Sequence, residues 1–317
     1  MADLICCGAI NWDINLFMER LPRTDEEVPV NEIQRVSGGT AANVSVAAAR
    51  IIGRGKVAFI GVLGNDGIGE TQLSILEAEG VDHTGVLLVD GEESGQAYIS
   101  IGLNGENEIH TYFGANLCLT RQCLRDPVRM ALIEGSRVAV IMDPPLETAE
   151  SLAGLCSDFG STVIWGPGVY AELGIEALSP TLRNIDYLVL NHLEYENLMG
   201  TSAPDEVSEM LKSEKPGLKG IIKRGSEGSI MCGAEHDEPL VMEAVPLERL
   251  GMTVVNTVGC GDAFIGAFAA AKVMGLSDVE SLRRGCAAGS FKSTRKETRG
   301  GPTAEELERI LKKWASL

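Results

Sequence analysis

The sequence predicts an α/β fold with a mostly parallel central sheet and helices on both faces of that sheet. Short apolar runs typical of buried strands alternate with helical patterns along most of the 317 residues, as they do in βαβ units. Hydrophobic residues make up 44% of the chain, so a sizeable core can form.

Two stretches interrupt this alternation. Residues 14–37 and 91–113 carry short strand patterns without helices between them. We expect them to form one small antiparallel sheet that covers the main sheet as a lid, with two independent surface hairpins as the alternative.

The predicted elements follow one another along the chain. The first strand, LICCGAI (4–10), precedes a helix of small residues, TAANVSVAAARI (40–51). KVAFIGVL (56–63) is a strand, and ETQLSILEAEG (70–80) is an amphipathic helix that ends at Gly80. Helical patterns separate the later strands, which are 137–143, 162–166, 187–191 and 220–224, and AEELERILKKWASL is an amphipathic terminal helix.

Composition and missing motifs exclude several classes of function. A formal net charge of −18 would repel nucleic-acid phosphates, and no apolar stretch reaches the length of a membrane span. The chain starts as a strand without a signal peptide, and its eight cysteines show no CxxC pair. The phosphate loops GxxxxGK[ST] and GxGxxG are absent. We therefore expect a cytoplasmic protein with reduced thiols that binds neither nucleic acid nor membrane.

Residues 254–271, VVNTVGCGDAFIGAFAAA, carry the best candidate for chemistry. Small apolar residues predict a buried helix that starts at about Asp262. Gly259, Cys260 and Gly261 stand just before it, and glycines let an anion approach the free N–H groups of a helix start. Asp262 would then accept a proton from an attacking hydroxyl. The alternative is that Asp262 is only an N-cap, a common use of aspartate.

This stretch resembles a family signature. NTVGCGDAFIGAF is similar to the C-terminal signature DTxGAGDxFxGA of the ribokinase-like, or phosphofructokinase-B, sugar and nucleoside kinases. Further segments resemble the family in its own order: GAINWDINLFMERLP (8–22), SGGTAANVSVAAARIIG (37–53), LGNDGIGE (63–70), NGENEIHTYFGAN (104–116), NHLE (191–194) and KRGSEGSI (223–230). The resemblance implies one ribokinase-like domain over 1–317, a three-layer sandwich with the lid at about 14–37 and 91–113.

The resemblance also implies a reaction and a set of site residues. It implies transfer of a phosphoryl group from a nucleotide, with ATP as donor and Mg²⁺ as cofactor, to a hydroxyl of a small sugar, polyol or nucleoside. Asp262 would be the base, and the backbone of Gly259, Cys260 and Gly261 the anion hole. The substrate would contact Asp13, Asn11, Gly38, Gly39, Asn43 and Asn116. The nucleotide would contact Asn191, Glu194, Lys223, Gly225 and Gly228, with Glu194 acting on the magnesium through water.

Several of these residues also have a purely structural interpretation. Asp13 follows a strand end, where open α/β sheets bind ligands, but it could simply form a turn. The glycines at 38 and 39 would let a substrate approach the backbone, or would serve as a lid hinge without contact. Asn191 and Glu194, three residues apart, could be a capping pair.

The chain departs from the family pattern at four positions. Asn256 replaces an aspartate that helps to bind a monovalent cation in many members, so we expect potassium to have little effect. Thr40 replaces the lysine of ribokinase after the paired glycines. Lys223-Arg224 replaces Thr-Leu, and its charge could face the nucleotide phosphates or solvent. Cys260 replaces alanine, which should matter little because the backbone N–H is used.

The sequence leaves the identity of the phosphoryl acceptor open. A phosphosugar would need a cation such as Arg20, Arg23 or Arg35, and a catalytically inactive sugar-binding relative is a further alternative. Four lid aromatics could stack on a nucleoside base or fill the core of the lid: Phe17, Tyr98, Tyr112 and Phe113. Because an unpaired edge strand is a liability, we also expect a homodimer that pairs through the lid.

Overall fold

The computed structural model describes residues 2–103, 106–233 and 238–317. Within them the strands are β1 (Leu4–Gly8), β2 (Asn11–Met18), β3 (Val30–Gly38), β4 (Val57–Gly64), β5 (Asp82–Val89), β6 (Gln96–Gly102), β7 (Asn107–Tyr112), β8 (Val138–Met142), β9 (Thr162–Gly166), β10 (Tyr187–Asn191), β11 (Lys219–Lys223), β12 (Ser229–Gly233) and β13 (Leu240–Met242). The helices are α1 (Thr40–Ile52), α2 (Gly67–Ala78), α3 (Pro127–Gly135), α4 (Leu146–Asp158), α5 (Ile175–Leu182), α6 (His192–Met199), α7 (Pro204–Glu214), α8 (Cys260–Val273), α9 (Asp278–Ser293) and α10 (Ala304–Ala315).

The described chain forms one large sheet between two layers of helices. The strand order is β13-β12-β11-β10-β9-β8-β1-β4-β5, and the strands from β11 to β5 run parallel. Helices α3 to α7 pack on one face, and α1, α2, α8 and α9 pack on the other. Central strands such as β4 are buried along their whole length, which explains their unbroken apolar sequence. The predicted three-layer α/β sandwich is confirmed.

The lid is a second, smaller sheet with the strand order β3-β2-β6-β7. Its two outer pairs are antiparallel, but β2 and β6 run parallel, so the sheet is mixed rather than wholly antiparallel. The cause is the connection: between β2 and β6 the chain passes through β3, α1, β4, α2 and β5, and it returns in the same direction as β2. Residues 104 and 105 of the predicted lid segment lie outside the described residues.

Close packing of α1 against α8 explains the small residues of both helices. A Cβ atom at Gly266 of α8 would lie 2.6 Å from Cβ of Ala47 and 2.9 Å from the carbonyl oxygen of Val44. Larger residues would therefore separate the two helices. No helix among the described residues is long and apolar enough to cross a bilayer.

Candidate active site

Three parallel strands of the main sheet place polar residues at their carboxyl ends, which lie at the same edge of the sheet. Asn191 and Lys223 end β10 and β11 and are paired with each other. Asp143 follows β8, the neighbour of β1. The charges of Lys223, Glu194 and Asp262 all act on the pKa of Asp143, so these residues lie near one another at this edge. The carboxyl edge of an open α/β sheet is where ligands bind.

The start of α8 forms one wall of the cleft at this edge. Gly259 is its N-cap with φ 84°, and no side chain of the described residues caps this end. A Cβ atom at Gly259 would lie 2.3 Å from the carbonyl oxygen of Thr298, so the turn requires glycine in both conformation and space. The helix begins at Cys260, two residues before the predicted start at Asp262, because Gly259 makes the turn. The N–H of Cys260 donates to the Thr257 carbonyl oxygen at 3.2 Å, and the other N–H groups of this first turn, with the positive end of the helix dipole, suit an anion.

Lys223 adds a positive charge to this turn. A Cβ atom at Gly261 would lie 3.2 Å from Nζ of Lys223. Arg224 instead pairs with Glu227 at 3.1 Å. Of the two cations that replace Thr-Leu, Lys223 therefore faces the cleft and Arg224 stays with its own turn.

Asp262 is the third residue of α8, and its side chain does not cap the helix. Its Oδ2 accepts a hydrogen bond of 2.8 Å from Nδ2 of Asn43 on α1. Burial raises the pKa of the Asp262 carboxyl, and the bond from Asn43 and the charges of Lys223, Arg299 and Lys292 oppose that rise. A simple capping role is excluded because Gly259 holds the N-cap position.

Arg299 fixes the orientation of the Asn43 amide, and sequence reasoning missed it. Its Nε donates to Oδ1 of Asn43 at 2.7 Å, and its Nη2 donates to the carbonyl oxygen of Gly38 at 3.0 Å. A guanidinium can only donate hydrogen bonds, so Asn43 must turn its oxygen to Arg299 and its Nδ2 to Asp262. Burial lowers the pKa of Arg299 to about 10, which leaves it charged at neutral pH. The polar context STRKETRGGP gave no signal for this role.

Asp13 reaches the same cleft from the lid. It lies in β2 with 6% of its surface exposed. Burial raises its pKa to about 7, Arg299 opposes the rise, and Asp262 adds to it. Asp13 is therefore a strand residue aimed at Asp262 and Arg299, and the turn interpretation is wrong.

Gly38 and Gly39 allow the lid to approach this closely. A Cβ atom at Gly38 would lie 2.1 Å from Oδ2 of Asp13. Gly39 has φ 87°, and its Cβ would lie 2.5 Å from Cα of Ile10. Both glycines are thus required by backbone contact within the chain, whatever they contribute to substrate binding.

Gly38→Ala should displace the Asp13 carboxylate. If Asp13 binds the acceptor as the sequence predicts, the acceptor KM should rise by roughly 10-fold or more, because charged hydrogen bonds are lost. The matched control is Gly154→Ala in α4, where a Cβ atom would meet nothing within 4 Å. Steady-state kinetics of both variants provide the measurement. An unchanged acceptor KM in Gly38→Ala would contradict the placement of Asp13 in the acceptor site.

Asp143 is a second residue that sequence reasoning missed. It has φ 55°, which is uncommon for a residue other than glycine. Oδ2 accepts a 2.7 Å hydrogen bond from Oγ1 of Thr40, while Oδ1 is buried with no hydrogen-bond partner among the described residues. Burial raises its pKa to about 6. Thr40, which replaces the lysine of ribokinase, thus holds a carboxylate at the carboxyl edge of the sheet.

Other predicted site residues make internal hydrogen bonds. Asn191 and Glu194 form a reciprocal capping box at the start of α6, with bonds of 2.9 and 2.7 Å. Asn116 accepts a bond from the Ile10 amide at 3.0 Å and donates to Oδ1 of Asn11 at 2.9 Å. Their roles toward nucleotide and substrate stay predictions.

The turn predicted to line the nucleotide joins β11 to β12. Gly225 and Gly228 have φ 57° and 92°, and a Cβ atom at Gly228 would lie 2.1 Å from the carbonyl oxygen of Met242. Side chains at these two positions would strain the turn. Contact of the turn with a nucleotide stays a prediction.

Strand register shows which lid residues face the cleft. Asp13 and Ile14 are neighbours in β2 and point to opposite faces. Tyr98 and Arg35 both pair with Ile14, so they lie on the outer face of the lid, away from Asp13. By register Tyr112 of β7 shares this outer face.

Comparison with known proteins supports a common ancestry over the whole fold. The family model "pfkB family carbohydrate kinase" matches residues 1–305. The chain is 28% identical over 313 residues to ribokinase of Haemophilus influenzae, which covers 97% of this chain and 98% of that protein. It is 29% identical over 284 residues, or 88% of this chain, to the bifunctional ribokinase/ribose-5-phosphate isomerase A of Fructilactobacillus sanfranciscensis, and spans 50% of that longer protein.

A solved structure agrees with these matches. Arabidopsis thaliana ribokinase complexed with ribose and ATP superposes with a TM-score of 0.84 at 26% identity, covering 98% of this chain and 99% of that one. The resemblance noted from the motifs is therefore confirmed. The chain belongs to the pfkB family of carbohydrate kinases and is a phosphotransferase that moves a phosphoryl group from a nucleotide to a hydroxyl of a small sugar, polyol or nucleoside.

Proposed function

We propose that the protein uses ATP and Mg²⁺ to phosphorylate a hydroxyl of a small neutral sugar or polyol. One observation carries the proposal: the carboxylate of Asp262 is held by Asn43 beside the start of α8, close enough to the buried Asp13 of the lid to raise its pKa. These groups supply acceptor recognition, proton acceptance and anion stabilisation within one cleft.

In this mechanism each residue has a separate task. Asp13 accepts hydrogen bonds from two acceptor hydroxyls, and Asn43 keeps the Asp262 carboxylate in place. Asp262 takes the proton of the attacking hydroxyl. The N–H groups of Gly261 and its neighbours, with Lys223, stabilise the charge that develops on the transferred phosphoryl group. Phosphoryl transfer depends mainly on such positioning and charge stabilisation.

The carboxylates at the sheet edge fit a hydrated magnesium ion that arrives with the nucleotide. The described residues contain no group of three or more His, Cys, Asp or Glu able to hold a metal ion by themselves. Mg²⁺ usually keeps several waters and binds through few carboxylates plus phosphates. Asp143 offers a buried oxygen that has no hydrogen-bond partner within the described part of the chain, and Glu194 lies close enough to affect the pKa of Asp143. These two side chains would hold the waters of the ion, which would neutralise phosphate charge.

A phosphorylated acceptor is not favoured. Arg35 lies on the outer face of the lid, and Arg20 hydrogen-bonds to Glu26 at the surface. Neither cation is therefore directed at the Asp13 face. Tyr98 and Tyr112 share the outer face and so do not support a nucleoside acceptor, whereas Phe17 shares the face of Asp13 by alternation along β2 and keeps a nucleoside as the second candidate.

An acceptor panel tests this proposal. Free sugars, polyols, nucleosides and phosphosugars are each assayed with ATP, ADP and GTP, and product phosphate is followed by ³¹P NMR. We expect turnover of at least one neutral acceptor with ATP. Turnover confined to phosphorylated sugars would contradict the neutral acceptor, and no turnover of any acceptor would favour the inactive sugar-binding alternative.

We also propose that two copies pair through the outer face of the lid. This face exposes Ile33 and Tyr98, at 49% and 41% of their surface, and both lie opposite β2 residues that point away from the cleft. Light scattering at micromolar concentration should give the mass of a dimer, and Tyr98→Glu should give a monomer. A monomeric parent protein would contradict lid pairing and leave closure over the substrate as the role of the lid.

All eight cysteines are free thiols, which suits a cytoplasmic location.

A further inference from the structure

A buried lysine lies behind the anion-binding turn. Lys292 is in the last turn of α9, and none of its surface is exposed. Its Nζ donates a 3.0 Å hydrogen bond to the backbone carbonyl oxygen of Asn256. Among the ion pairs of the described residues, none includes Lys292. The other well-buried lysines differ, because Lys219 and Lys272 both pair with Asp278.

An ammonium buried without a carboxylate partner is costly. Burial lowers the pKa of Lys292, while the nearby carboxylates of Glu297 and Asp262 oppose that fall. The position is also not required for packing alone, since an apolar side chain of similar length would avoid this cost. A charge kept here at such a cost points to an electrostatic task.

The surroundings of Lys292 identify that task. Its contact, Asn256, leads directly into the turn that ends at Gly259. The side chain of Asn256 is fixed at both ends, because Nδ2 donates to the Lys296 carbonyl oxygen at 2.8 Å and Oδ1 accepts from the Val258 amide at 3.0 Å. The ammonium thus holds the base of the loop from behind, while the anion approaches from the front.

The neutral residue at 256 belongs to the same arrangement. An aspartate there would add a negative charge to the loop that Lys292 contacts through the Asn256 carbonyl oxygen, and this charge would weaken the field of Lys292 at the start of α8. Asparagine keeps the loop hydrogen bonds and leaves the positive charge uncompensated.

We propose that Lys292 is a tethered cation that positions and polarises the turn from Asn256 to Asp262, and so supplies from within the chain the charge that a bound potassium ion would supply. Lys292 is a positioning residue, because it acts on the phosphoryl group through the loop and the dipole of α8. The inference rests on the proposed phosphoryl transfer. It gives the expected indifference to potassium a structural cause.

Two substitutions separate charge from packing. Lys292→Met fills the space without charge, and Lys292→Ala leaves room for a small cation beside the Asn256 carbonyl. In tetramethylammonium buffer both variants should lose roughly tenfold or more in kcat, since one fixed charge near a developing anion is removed. Potassium or ammonium should restore much of the kcat of Lys292→Ala and leave that of Lys292→Met low. Lys212 of α7 is exposed, and Lys212→Ala is the control for general salt effects.

Melting temperature gives a second readout that does not depend on turnover. At constant ionic strength, potassium should raise the melting temperature of Lys292→Ala and not that of the parent or of Lys292→Met. An inactive parent would refute the proposed function, while the melting experiment would still test the cation site. Full kcat in Lys292→Met, strong potassium activation of the parent, or indifference of Lys292→Ala to potassium in both readouts would overturn the inference.

Discussion

Asp262→Asn should lower kcat by about 10²–10⁴-fold, the usual effect of removing a general base, which corresponds to roughly 3–5 kcal/mol of barrier. The variant keeps the shape of the side chain and can still accept the hydrogen bond from Asn43 through its own oxygen. It cannot accept the hydroxyl proton as a carboxylate does. Nucleotide KM should stay the same or fall, because a negative charge beside the phosphates is removed.

The same variant should keep or slightly gain thermal stability. The raised pKa of Asp262 shows that the folded protein disfavours the charged carboxylate, so a neutral isostere removes a cost. Asp126→Asn is the matched control, because Asp126 caps α3 through the Val128 amide and asparagine caps equally well. Turnover and melting curves of both variants provide the test. Near-normal turnover in Asp262→Asn would end the proposed role as base.

Asp13→Asn should raise the acceptor KM by roughly 10–10³-fold, because hydrogen bonds to a charged group contribute about 1.5–3 kcal/mol each. We expect kcat and nucleotide KM to change much less, since the proposed mechanism has Asp13 contact only the acceptor. A fall in kcat with unchanged acceptor KM would place Asp13 outside the acceptor site.

The pH dependence follows from the raised pKa of about 7 of Asp13. Only the ionised carboxylate accepts from two hydroxyls, so kcat/KM for the acceptor should fall as pH decreases through about 7. Stability should behave in the opposite way. The folded state holds this proton more tightly than the unfolded chain, so the stability contributed by Asp13 is present at acid pH and is lost as pH rises through the folded pKa.

Melting curves of Asp13→Asn and of the parent protein check that the stability contributed by Asp13 falls as pH rises. At pH about 8 the melting temperature of Asp13→Asn should lie well above that of the parent. At pH about 5 the difference should be smaller, because the parent carboxyl is then largely neutral. A difference that does not depend on pH would show that Asp13 does not titrate as its burial implies.

The sequence predicted the parts of the site that lie in motifs. Gly259 and Asp262 were named from the local pattern, and Asn43 and Asp13 from the family resemblance. The fold brings Asn43 and Asp262 together because α1 and α8 are made of residues small enough to pack closely. The lid strands were found near their true positions, since their alternation differs from the buried runs of the main sheet.

The residues that were missed act through tertiary contacts. Arg299 bonds to Asn43 across 256 positions of the chain, and Lys292 reads as an ordinary polar residue near a helix end. Asp143 gains its place only once β8 is set beside β1. In each case the side chain has no local pattern, and its function depends on burial that only the folded chain creates.

A crystal structure of the protein with an acceptor that it phosphorylates and a non-hydrolysable ATP analogue would test the central claim most directly. The account predicts that the reacting hydroxyl lies about 2.6–3.2 Å from a carboxylate oxygen of Asp262, within hydrogen-bond reach for proton transfer. Two other acceptor hydroxyls should contact Asp13, and the terminal phosphate should lie on the N–H groups that start α8. An acceptor bound without contact to Asp262, or phosphates held away from this turn, would contradict it.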